Sequence, residues 1–208
     1  MIASLIEATP FLARGFAVNL LIATLSMAFG TVLGLALCAM RAYPRWWTRP
    51  PAEFATSLCR NVPSFVLLFY VAFMLPVEVE FFGAVVAIPL WIKATVALTI
   101  PVVGFVSDQA LGLRRQRAEG DTEASATFFL AWMQYFLIII MASATASVIG
   151  ADEIVGRANR LIAQDQRPAF LLLTYIYVSF WFILAGLGFS WALGRYVARK
   201  NQRNYAKG

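Results

Sequence analysis

The sequence predicts an all-α integral membrane protein with five transmembrane helices, and three observations predict it. The first is composition: 61% of the 208 residues are hydrophobic and 13% charged, against about 45–50% and 25% in soluble domains. The second is the clustering of the charges, which leaves five charge-free windows at 15–40, 61–77, 94–107, 124–151 and 168–194. A bilayer takes about 20 apolar residues per helix, with about 17–25 the usual range. Three windows exceed that range and the second sits at its lower limit. The third reaches it when Trp91, Ile92 and Lys93 join, with the Lys93 ammonium snorkelling to the membrane edge. Helices are therefore expected at about 11–41, 54–76, 90–109, 125–150 and 168–197, in one domain covering 1–208.

The third observation is where the basic residues fall. Arg41, Arg45, Arg49 and Arg60 follow the first helix; the second loop has none, only Glu78 and Glu80. Arg114, Arg115 and Arg117 fill the third loop. Arg195, Arg199, Lys200, Arg203 and Lys207 fill the tail. Arg157, Arg160 and Arg167 of the fourth loop are offset by Asp152, Glu153 and Asp165, the one ambiguous position. Basic residues mark cytoplasmic loops, so the N-terminus is expected outside and the C-terminus inside. The net charge of +6 serves topology, and no nucleic-acid partner is expected.

Function classes fall away with the missing chemistry. The chain has no histidine, hence neither the usual acid–base switch nor the commonest metal ligand. No charge-free window holds a carboxylate, which leaves a proton relay or an intramembrane hydrolase nothing to work with. No enzyme activity, catalytic residue or metal site is expected. Cys38 and Cys59 both fall near the cytoplasmic side, where packing rather than a disulfide is their role. The N-terminus lacks a cationic n-region ahead of its long apolar run, so it is expected to stay as helix one.

Taken in order, helix one carries Gly30 and Gly34 at the small-xxx-small spacing that lets helices approach closely, within the molecule or across a dimer. "RAYPRWWTRPPAE" follows, its indoles and arginines reading as an interfacial anchor. Helix two has Pro63 in its first turn, where a missing N–H costs little, and leaves at Pro76. Helix three holds Pro101 and Gly104, where a kink is expected. Helix four changes from an aromatic half interrupted by Gln134 to "MASATASVIG", whose Ser143, Thr145 and Ser147 suit either tight packing or a polar path. "ADEIVGRANRLIAQDQRP" reads as an amphipathic helix on the outer face. Asp152 and Glu153 favour its N-terminal end, Glu153 is expected to pair with Arg157, and Pro168 stops it. Helix five is uniformly apolar.

In this order the segments resemble permease subunits of ABC importers, specifically the polar amino-acid uptake family. The likeness begins with Gly15, Asn19-Leu20, Gly30, Gly34 and Arg41 and continues through Arg60-Asn61-Val62-Pro63 and Leu75-Pro76. Leu67 stands where that family has a glutamine, and Leu111 where it has an arginine. Gly104 to Asp108 with Gly112, then Gly120-Asp121-Thr122-Glu123-Ala124-Ser125, match the family's cytoplasmic coupling motif. Gln134-Tyr135-Phe136 and 143–150 with Glu153-Ile154 complete the order. Between Ser125 and Ser143 about 20 residues of the family pattern are missing, roughly 30 Å of helix.

The resemblance implies a type I ABC importer permease-like fold in the bacterial cytoplasmic membrane. The chain would form half of a translocation path for amino acids or similar small polar solutes. It implies a second permease subunit, ATP-binding subunits and an extracytoplasmic solute-binding protein as partners, with ATP and magnesium on the ATPase and no cofactor in this chain. Coupling would fall to Asp108, Gly112, Gly120, Asp121, Glu123, Ala124 and Ser125, on a short cytoplasmic helical arm. Asn19, Arg60, Asn61, Pro63, Gln134, Ser143, Thr145 and Ser147 would form the path or a helix seam. Asp152, Glu153, Arg157 and Arg160 would dock an outer partner. The alternative is a diverged permease fold kept as an accessory or assembly subunit without ATPase coupling. The shortened motif sustains that alternative.

Overall fold

The computed structural model describes residues 2–43, 46–81, 83–165 and 167–205, without the side chains of Phe81 and 196–205. Arg45 and Lys207 of the basic segments therefore lie outside the described residues, as do the side chains of Arg199, Lys200 and Arg203. A short α1 (Ile2–Glu7) leads into α2 (Thr9–Ala42), followed by α3 (Arg49–Asn61) and α4 (Ser64–Met74). A hairpin of β1 (Glu78–Phe81) and β2 (Ala84–Ala87) precedes α5 (Leu90–Ala118) and α6 (Ala124–Ser143). A 3-10 segment (Ala144–Ile149), α7 (Ile154–Gln164) and α8 (Pro168–Tyr205) complete the chain. Among the described residues four segments are long and apolar enough to cross a membrane, namely α2, α5, α6 with its 3-10 extension, and α8 up to Arg195, and the bent pair α3–α4 makes a fifth if it is one broken span.

The bundle is built around α2 and α5, which run parallel. Ser26 Oγ donates to the Thr95 carbonyl at 3.1 Å, Gly30 lies against Val102, and Gly34 against Val106. A Cβ at Gly30 would stand 2.4 Å from the Val102 side chain, and one at Gly34 2.7 Å from that of Val106. The small-xxx-small stripe is thus spent inside the molecule, where close approach lets dispersion act over the whole contact. On this axis sit two apolar clusters. Ile22, Leu67, Leu68, Val71, Ala97 and Leu98 join α2, α4 and α5. Ala23, Met27, Val102, Val106, Ile139 and Ile140 join α2, α5 and α6. A third cluster, with Leu12, Phe16, Ile154, Ala158 and Val178, brings α7 and α8 against the start of α2.

Three expectations need correction. The expected helix at 54–76 is two helices bent by 100° at Val62-Pro63. Pro63 does not sit inside a first turn; the residue before a proline is pushed out of the helical region. Val62 is accordingly extended (φ −78°, ψ 124°), and Pro63 becomes the N-cap of α4. Lys93 does not snorkel to the edge. It is buried, and its Nζ donates to the carbonyls of Ala72 and Leu75 at 3.0 and 2.8 Å. Those carbonyls belong to the last turn of α4 and its C-cap, where a cation meets both orphan acceptors and the negative end of the dipole. Helix four is α-helical only to Ser143, then tightens into the 3-10 segment that Gly150 ends in the left-handed conformation (φ 87°).

The charged island is not a separate arm. The helix of α5 runs through Leu111 and Gly112 to Ala118, and α6 starts at Ala124, so only five residues connect them. Gly120 supplies the positive φ of 89°, Asp121 Oδ1 accepts from the Glu123 N–H at 2.7 Å, and Arg117 donates to Ser125 Oγ at 2.6 Å. The helix also passes Pro101 unbroken, and Gly104 serves as the point where the end of α3 touches it.

Gly30→Leu drives a branched side chain into Val102. Overpacking of this kind costs about 1–3 kcal/mol, so the variant should melt several degrees below wild type in mild detergent. Gly186→Ala, with open space around it, should not. Equal melting temperatures for Gly30→Leu and wild type would contradict the α2–α5 contact.

Candidate functional site

Two polar constellations stand out in this apolar bundle, one at each end of α2. The first begins at Asn19, fully buried nearly three turns into α2. Its Nδ2 donates to Ser143 Oγ at 2.9 Å and to Glu153 Oε2 at 3.0 Å. Its Oδ1 accepts the Ile154 N–H at 3.1 Å. Ser143 in turn donates to the Ile140 carbonyl at 2.6 Å. Glu153 is the N-cap of α7, accepting from the N–H groups of Val155 and Gly156 at 3.0 and 2.7 Å. These are first-turn N–H groups that the helix itself cannot satisfy. Gly15 allows this junction, because a Cβ there would lie 2.8 Å from the backbone of Ile154. One amide thus ties α2, the end of α6 and the start of α7 together.

Glu153 therefore cannot dock an outer partner: it is fully buried. Nor does it pair with Arg157. That arginine grips Asp152 instead, through Nη2 at 2.6 Å and Nε at 3.2 Å. It also donates to the Phe11 carbonyl at 2.8 Å and lies 4.8 Å from the centre of the Phe11 ring. The outward pairing fails because Glu153's oxygens already cap the helix it starts. Of the four expected docking residues, only Asp152 and Arg160, an ion pair with each other, present exposed side chains. The remaining seam candidates do not converge on Asn19. Gln134 is exposed, while its neighbour Tyr135 stacks on Phe105 at 3.8 Å. Thr145 and Ser147 bond back to the Ala142 and Ala144 carbonyls of their own turn.

The second constellation ties the C-terminal ends of α2 and α3 to the middle of α5. Asp108 accepts from Arg41 at 2.7 Å and from Arg60 at 2.8 Å, one arginine on each of its oxygens. Arg41 also donates to Ser107 Oγ at 3.0 Å, and that hydroxyl lies 3.1 Å from Thr56 Oγ1. Asp108 and Arg60 are thus engaged within the chain, and Asn61 bonds only Ser57, at 3.0 Å. Gly112, Gly120, Asp121, Glu123, Ala124 and Ser125 lie beyond, along the end of α5, the turn and the start of α6. Sequence reasoning passed over Arg41, Ser107 and Thr56 as site residues. The signal was present: Arg41 and Asp108 end two apolar windows, and parallel helices bring such ends together.

Along α2 and α5 between these ends lies a groove of about 840 Å³ lined by Phe29, Leu33, Ile92, Thr95, Thr99 and Val103 among others. Thr95 and Thr99 turn their hydroxyls to their own helix carbonyls, so the groove offers an apolar wall.

No protein-family model matches the chain. Curated relatives do. The chain is 29% identical over 136 residues to a probable amino-acid ABC transporter permease, YckA, of Bacillus subtilis, covering 65% of this chain and 58% of that one. It is 26% identical over 201 residues to the octopine transport system permease OccM of Rhizobium meliloti, covering 85% and 82%. In fold it matches a chain of an amino acid ABC transporter crystallised with histidines, with a TM-score of 0.79 over 96% of this chain and 20% identity. The inward-facing methionine ABC transporter MetNI follows at 0.64, 91% and 16%. These last two likenesses concern the fold.

Burial pushes the Glu153 carboxyl above its ordinary value of 4.5, against the opposing pull of the Val155 N–H, the Asn19 amide and the Gly156 N–H. The folded state then holds the proton more tightly than the unfolded one. Stability from this group is full below the unfolded value and declines as pH rises to the folded one. Wild type should therefore lose melting temperature relative to Glu153→Gln as pH climbs from about 4.5. Parallel pH profiles for the two proteins would contradict the burial argument.

Proposed function

We propose that this chain, a permease subunit of the ABC importer type, forms one half of a translocation path for amino acids or similar small polar solutes. The observation that carries the reading is the run of sequence similarity to an amino-acid permease over 65% of the chain and to an octopine permease over 85%, laid on the same helical fold. The chain is a transport subunit rather than an enzyme, and a multi-pass protein of the bacterial inner membrane. In the proposed assembly, ATP and magnesium belong to separate ATP-binding subunits. A second permease closes the path against the apolar α2–α5 face, and a solute-binding protein delivers from outside. The proposed orientation has the N-terminus outside, which puts the Arg41–Asp108–Arg60 cluster and the α5–α6 turn in the cytoplasm.

In this reading the turn at 119–123 and the first residues of α6 meet the ATPase, with Glu123 as the polar contact. Asp108 acts one step behind: it locks α2, α3 and α5 so that a push on the turn moves them together. The contact is small, because the connection has five residues and no helix of its own. The same observation favours the second reading, an accessory subunit without coupling.

Mild-detergent purification should recover an ATP-binding subunit with this chain. In that complex Glu123→Lys should lower solute-stimulated ATP hydrolysis several-fold with assembly intact. Recovery of an unrelated membrane complex alone, or full stimulation in the variant, would support the accessory reading instead.

A further inference from the structure

Where α2 ends, α3 begins and α5 leaves the bundle, the chain forms a cleft of about 380 Å³, within the ~300–1,000 Å³ of small-molecule sites. Four of its eight lining residues are arginines: Arg41, Arg49, Arg114 and Arg115. The only acid among the eight is Glu53, already held by Arg49 Nε at 2.8 Å. Arg114 and Arg115 are exposed and make no ion pair among the described residues. Arg41 is more telling. Its Nη1 serves Ser107 and Asp108, while its Nε is buried with no hydrogen-bond partner among the described residues. A buried N–H is normally paired, and a charged one left bare costs more than a neutral one. Marking the cytoplasmic side requires only that arginines be present in the loop; it does not require guanidiniums from three helices to converge on one cleft.

The surroundings say what kind of anion fits. On the other face of the α2 end lies an apolar hollow of about 260 Å³ lined by Ala39, Met40, Tyr43 and Thr48. Beyond it Trp46 and Trp47 stand exposed, edge to face at 5.6 Å. Indoles prefer the headgroup level of a bilayer. A basic cleft at the depth that such indoles mark is complementary to a phosphate at headgroup level.

We propose that this cleft binds the phosphate headgroup of an anionic phospholipid. Arg114, Arg115 and Arg49 supply the positive field, with Arg41 also in the lining. The lipid would pin together the ends of the helices that Asp108 also joins. The inference requires only that the chain spans a membrane, and stands whether or not the chain couples to an ATPase.

The test uses the full chain with whatever subunits co-purify, stripped of lipid in mild detergent and titrated with phosphatidylglycerol or phosphatidylcholine of identical acyl chains. Bound lipid is counted by native mass spectrometry. Phosphatidylglycerol should be retained preferentially. Arg114→Gln with Arg115→Gln should weaken it by about fivefold per arginine, while Arg195→Gln, on the exposed tail of α8, should leave it unchanged. The two cleft arginines are exposed, so the double variant should fold, and an unchanged melting temperature checks this. Equal retention of both lipids, or equal retention by the double variant and wild type, would overturn the proposal. Displacement by millimolar inorganic phosphate would make it a soluble-anion site, and displacement by added ATP-binding subunit would make it a protein contact. Either result overturns the lipid assignment.

Discussion

The side chain of Asn19 is the point on which the architecture turns. In a bilayer there is no water to satisfy a stray polar group, so each one must find its partner inside the protein. Asn19 meets this requirement with three hydrogen bonds to two other segments, reaching Ser143 at the end of α6 and Glu153 and the backbone of Ile154 at the start of α7. Each partner is itself the end or beginning of something. Ser143 is where α6 tightens into 3-10, Glu153 caps α7, and Ile154 opens it. One buried amide therefore fixes where a spanning helix stops and where the chain turns back.

The same logic recurs at the other breaks. The chain stops α4 short, after 11 residues, and the carbonyls it orphans are met by Lys93 from the start of α5. The ends of α2 and α3 are joined to the middle of α5 by Asp108 between Arg41 and Arg60. Between such knots the helices pack through small residues, as at Gly30 and Gly34, and elsewhere present leucine, valine and phenylalanine outward. Apolar packing sets the distance between helices and the polar knots set their register. A transporter needs both: rigid bodies that move as units, and few enough polar links that the bodies can move at all.

Much of this was legible in the sequence, because membrane insertion writes itself in plain terms. The apolar windows located α2, α5, α6 and α8, the spacing of Gly30 and Gly34 gave a helix contact, and the amphipathic period found α7. What escaped was tertiary. A 17-residue charge-free window at 61–77 looks like a short span, yet Val62-Pro63 splits the helix on either side of it. The hairpin at Glu78–Ala87 pairs four residues with four around Gly83, a signal too short to rise above an ordinary loop. Glu153 sat at the correct spacing for Arg157, but burial and the N-cap claimed it first. Local pairing rules assume exposure, and this residue has none. The Asn19 seam was half visible: Asn19 and Ser143 were singled out as rare polar groups in apolar windows, while Gln134, chosen on the same ground, faces outward.

The junction of α2, α6 and α7 depends most heavily on Asn19 and Glu153 acting as one unit. A double-mutant cycle with Asn19→Ala and Glu153→Gln, read from unfolding in mixed micelles at fixed pH, addresses that directly. Residues that share a hydrogen-bond network couple by about 0.5–3 kcal/mol. The double variant should therefore lose less stability than the sum of the two single losses, by an amount in that range. Strict additivity would mean that the two side chains do not depend on each other, and that the junction of α2, α6 and α7 is held by packing alone.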